Sequence, residues 1–134
     1  MRHKVQWQND EFQLRAKVFP MGNETREQAW FSIDVYRDTD MLTREWKPAE
    51  INWGGYGAQD AETAKAFGEG IVTAAKVAEE MNQPVKTFAV VYTIQEEDGS
   101  TRIHETTRVA NHIRQIREIV LPEHITLTKI KEVV

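Results

Sequence analysis

The segment from Asp60 to about Asn82 constrains the fold most. Its apolar or small residues, Ala64, Phe67, Gly68, Ile71, Ala74, Ala75, Ala78 and Met81, recur in steps of three and four. That spacing predicts one long amphipathic helix. Glu62, Lys65, Glu69, Lys76, Glu79 and Glu80 fall on the wet side, and Asn82 with Pro84 ends the element. The buried face is small. Gly68 and Gly70 each cost about 1 kcal/mol of helix propensity relative to alanine, which close packing against a sheet offsets.

Strands surround this helix. In "EFQLRAKVFP", Phe12, Leu14, Ala16 and Val18 alternate with polar residues, and Pro20 closes the run. "AWFSIDVYR" puts Ala29, Phe31, Ile33 and Val35 on one face, with Trp30, Ser32, Asp34 and Tyr36 on the other. "EWKPAEINW" reads as an edge strand, or as one regular only after Pro48, which has no N–H for a ladder. "VKTFAVVYTIQ" is apolar on both sides at its centre and predicts a central strand. Asp98-Gly99 turns the chain into the polar return strand "TRIHETTRVA". "NHIRQIREIVLP" reads as a short helix and "HITLTKIKEVV" as a last strand. The expectation is one α+β domain over residues 1–134. Its antiparallel or mixed sheet has about five or six strands, in the order βββ-α-ββ-(α)-β, packed on the long helix.

The segment "EINWGGYGAQD" between strand and helix invites a phosphate-loop reading. A dinucleotide fingerprint needs a third glycine where this chain has Asp60, and a P-loop needs G-K-[ST]. An acid at a helix start repels pyrophosphate, whereas it serves well as an N-cap. The glycines therefore predict a turn, with Trp53 and Tyr56 beside it as a contact loop.

The 134 residues carry a formal net charge of −4 and no cysteine. Disulfides, thiolate metal sites and a cysteine nucleophile are excluded, which fits a reducing compartment. No apolar run is long enough for a membrane span, and the N-terminus does not read as a secretory signal. The expected location is cytoplasmic.

The four histidines form no ligand motif, and Asp38, Asp40 and Glu45 read as turn residues rather than a Mg²⁺ site. Ser32 and Ser100 sit in no nucleophile elbow. No cofactor, metal or catalytic group is singled out. The four tryptophans are more suggestive. Trp30, Tyr36, Trp46, Trp53 and Tyr56 are the candidate protein-binding residues, since exposed aromatics recur at interfaces. From Thr101 to Arg117, four arginines face the single acid Glu105. Arg102, Arg108, Arg114 and Arg117 are thus candidate nucleic-acid contacts. The leading expectation is a non-catalytic protein-interaction module with a protein partner or a second copy of itself. The alternatives are a nucleic-acid binder and a ligand binder or small enzyme using the glycine loop.

Overall fold

A computed structural model describes residues 3–20, 32–53 and 61–134. Its strands are β1 (His3–Trp7), β2 (Gln13–Pro20), β3 (Ile33–Asp38), β4 (Glu50–Trp53), β5 (Lys86–Gln95), β6 (Thr101–Ala110) and β7 (Ile125–Glu132). The helices are α1 (Ala61–Met81) and α2 (Arg114–Arg117). The α+β class holds, but the strands form two antiparallel sheets rather than one. The first is ordered β1-β2-β3-β4 and the second β6-β5-β7.

The first sheet lays one face on α1. Leu14, Ala16 and Val18 of β2 and Ile33 and Val35 of β3 are buried there, as their alternation predicts. β1 is not among the strands that alternation predicts. Its "HKVQW" is too short to show much periodicity, yet Val5 and Trp7 pack into the same core. β4 is an edge strand that begins after Pro48, as expected. Phe12 does not join the core. It precedes β2, is 44% exposed, and lies 5.0 Å from the Arg44 guanidinium.

The helix bounds agree with the periodicity, and most of the expected stripe is in place: Ala74, Ala78 and Met81 are buried, and Phe67 and Ile71 pack against the same core. Ala66, Gly70, Ala74, Val77, Ala78 and Met81 face the sheet, whereas Ala64 and Gly68 are exposed. A Cβ added at Gly68 would meet nothing within 4 Å, so close packing does not explain that glycine. Small residues recur around the whole helix, and the choice of stripe was therefore ambiguous from spacing. The helix end is tied on two sides. Arg37 of β3 donates to the carbonyls of Met81 and Gln83, the latter at 3.0 Å, and to Lys47 O at 2.8 Å. Asn111, just past β6, donates to Gln83 O at 2.6 Å and Pro84 O at 3.0 Å. These bonds satisfy carbonyls that a helix end leaves open.

β5 is central in its own three-stranded sheet, and Phe88, Val90 and Tyr92 are buried on one face. The Asp98-Gly99 turn forms as read, with Gly99 at φ +87°. The C-terminal segment covers this second sheet. Ile113, Ile116 and Leu121 pack on Phe88, Val90 and Tyr92, and β7 adds Ile125, Leu127 and Ile130. α2 is only four residues long, shorter than the segment read as helix, and Val120 beyond it is 60% exposed. No helix of the described residues is long and apolar enough to cross a membrane.

Candidate interaction site

β6 and β7 are the two outer strands of the second sheet, and they differ as edges. β7 carries Lys129 and Lys131, and its register with β5 shifts between Val91 and Tyr92. A bulge and edge lysines both discourage pairing with another chain. β6 pairs with β5 through ten uninterrupted positions, from Lys86↔Ala110 to Gln95↔Thr101. It contains no proline and no lysine, and every residue from Thr101 to Glu105 is exposed. Ile103 is 67% exposed. Only its far end is anchored in the core, where Val109 joins the cluster under α1.

The period of two sorts the β6 side chains. Arg102, His104, Thr106 and Arg108 share the face of Ile94, Tyr92, Val90 and Phe88, their register partners. Thr101, Ile103, Glu105 and Thr107 take the opposite face. Arg102 donates from Nε to Glu96 at 2.7 Å and is held at the hairpin. Arg108 is half-buried and has no ion pair among the described residues. The two arginines stand six residue steps apart along the strand, about 20 Å by strand rise. Arg114 pairs instead with Glu80 of α1, and Arg117 is exposed on α2. The four arginines thus divide between a strand and a helix, and two of them are already bonded to acids.

The aromatic candidates are equally dispersed. Tyr36 stands on the face of the first sheet away from α1, where Gln6, Gln8, Arg15, Lys17, Asp34 and Asn52 surround an open hollow of about 510 Å³. Its phenol pKa is raised by the hydrogen bond to Glu50 and by that carboxylate's charge. The Arg15 guanidinium lies 5.1 Å from the ring. Trp46 is half-buried against the first core, with Arg37 5.6 Å from its ring. Trp53 ends β4 and is 52% exposed, on the helix side of the sheet by its pairing with Ile33. Trp30, Tyr56 and the glycine turn with Asp60 lie outside the described residues.

The Asp40 turn is structural in its bonding. Its carboxylate accepts N–H bonds from Leu42 at 2.8 Å and Thr43 at 3.0 Å, and these bonds lower its pKa. Among the described residues, no group of three His, Cys, Asp or Glu side chains could hold a metal ion.

A cleft of about 470 Å³ lies between the β1–β2 turn and the face of the second sheet that carries Tyr92, His104 and Arg108. Trp7, Tyr92, Ile94 and Ile125 line it, with Asn9, His104 and Arg108 among its polar groups. Asn9 carried no signal in the sequence, since a lone asparagine in "QWQNDEF" reads as a turn residue. The edge of β6 was legible in principle, because a strand polar on both faces is seldom central. Comparison of the chain with protein-family models, with curated proteins and with solved structures finds no match.

Proposed function

We propose that this protein is a non-catalytic interaction module that accepts an extended strand from a partner protein on the outer edge of β6. One observation carries the reading: β7 bears two devices against edge pairing and β6 bears neither. An open edge supplies main-chain hydrogen bonds for affinity, and alternate side chains supply specificity. His104 and Arg108 flank the incoming strand on one face. The fitting partner therefore carries acidic side chains at alternate positions there, and β-branched or apolar residues beside Ile103. A second copy fits less well. Self-pairing centred on Glu105 sets Glu105 against Glu105 and Arg102 against Arg108.

The test compares the wild type with Ile103→Lys, which adds an edge lysine at an exposed site. The bait is captured from native lysate with and without nuclease, and the bound partner is mapped by amide exchange. The expected result is a stoichiometric, nuclease-resistant protein that protects β6 amides and is lost on Ile103→Lys. Equal capture by the variant, or protection confined to another element, overturns the reading. Capture that nuclease abolishes transfers the function to nucleic acid.

A further inference from the structure

We infer that the cleft beside the β1–β2 turn binds a small monocarboxylate with an apolar body. The inference starts from Asn9, which is 4% exposed. Its Oδ1 accepts the Arg15 backbone N–H at 3.1 Å, and that bond fixes which end of the amide is which. The Nδ2 end is then buried with no hydrogen-bond partner. An unmet buried donor costs about 1–3 kcal/mol, and native proteins hold few of them. This one belongs to a residue lining the cleft.

The rest of the lining names the ligand class. Arg108 offers a cation that no acid of the described residues engages, and no acidic side chain lines the cleft. An anion entering here meets donors and no repulsion. The Arg108 guanidinium can hold a carboxylate in charge-assisted bonds stronger than neutral ones, and Asn9 Nδ2, closed to water in the empty cleft, donates to the ligand once its side chain turns toward the cleft. Trp7, Tyr92, Ile94 and Ile125 supply an apolar wall, so the body behind the carboxylate is aliphatic or aromatic. The volume of about 470 Å³ lies within the range of small-molecule sites. A phosphate or a sugar acid would leave that apolar wall unused. Strand pairing draws its affinity from the backbone edge of β6 and the cleft from side chains on the sheet face; the two share His104 and Arg108, and Ile103→Lys, which changes the edge alone, separates them.

The probes are 3-phenylpropionate and octanoate, with 3-phenylpropionamide as the neutral control, added to the full isotope-labelled chain. The expected result is saturable movement of the Asn9 side-chain amide and Trp7 indole signals with both acids. The amide should bind about tenfold more weakly, a difference of about 1.4 kcal/mol. Arg108→Gln, at a half-buried position, should weaken the acids at least about tenfold and leave the amide unchanged. Asn9→Leu should do the same while removing the orphaned donor. Ile103→Lys should bind both acids as the wild type does. The inference is overturned if neither acid moves the Asn9 signal up to about 10 mM, where even a millimolar site is mostly filled. Equal binding of acid and amide, or of wild type and Arg108→Gln, overturns it as well.

Discussion

Each sheet must cover one apolar face, and the two do so with unequal means. The first has α1, twenty-one residues long, laid across its strands. Leu14, Val18, Ile33 and Val35 beneath it are fully buried. The second has a four-residue helix and an irregular run, and its outer apolar residues Ile113, Leu121, Ile125, Leu127 and Ile130 are only half-buried. The difference separates a stabilising half from a half with surface to spare. Dispersion and water exclusion both scale with enclosure, so the first sheet should carry more of the folding free energy. The second keeps an open edge and a lined cleft, and binding sites belong where burial is incomplete.

Paired truncations test this contrast most strongly. Leu14→Ala should cost about 2–5 kcal/mol, the range for a fully buried leucine. Leu127→Ala, starting half-buried, should cost about 1–2 kcal/mol. Urea denaturation of both variants checks it, and equal losses would erase the distinction between the sheets. Next is Arg37→Leu, which removes the donor to the carbonyls of Met81, Gln83 and Lys47. A loss of about 2 kcal/mol is expected, since those carbonyls lose a charged partner. A loss close to zero would show that the helix end holds without that tie.

A smaller effect is expected at the β6 edge. Ile103→Lys should leave the melting free energy within about 0.5 kcal/mol, as for other exposed positions, while it removes partner capture. A large destabilisation would place Ile103 in structural packing. The smallest effect concerns Asp40, whose carboxyl pKa is lowered by the N–H bonds of Thr43 and Leu42. A depressed folded-state pKa contributes stability above the unfolded value, near 3.9, and that contribution fades as pH falls through the folded value. Melting curves of wild type and Asp40→Ala should therefore differ near pH 6 and converge towards about pH 2. A constant gap across that window would assign the effect to something other than ionisation.

The sequence made some of this legible. Alternation identified β2, β3 and β5, because one buried face against water writes a period of two. Asp98-Gly99 announced its hairpin, since few residue pairs tolerate that turn. The division into two sheets was not legible. Alternation states which side chains share a face, and says nothing about which strand lies beside which. β1 escaped notice because five residues give too few repeats. The helix stripe was misjudged at Ala64 and Gly68, which are exposed, and at Ala66 and Gly70, which are buried, because alanines and glycines recur on several sides and small size does not mark the buried one. The candidate cleft stayed hidden for a different reason. Asn9 and Arg108 are ninety-nine positions apart, and only folding brings them to one lining.

The shift between β7 and β5 also explains a spacing that looks like an error. Ile125 and Leu127 stand two apart, but the next inward residue, Ile130, comes three later. Thr128 is the extra residue: Val91 pairs with Lys129 and Tyr92 with Leu127. Its hydroxyl donates to Val91 O at 3.1 Å. The strand thus reads in two phases, like a text with one inserted letter. Deleting Thr128 would restore a single reading frame from Ile125 to Glu132 with every inward residue still inward. The chain would gain a flat outer edge where it now has a kinked one, and the asymmetry that leaves one side of the sheet receptive would shrink to the lysines alone.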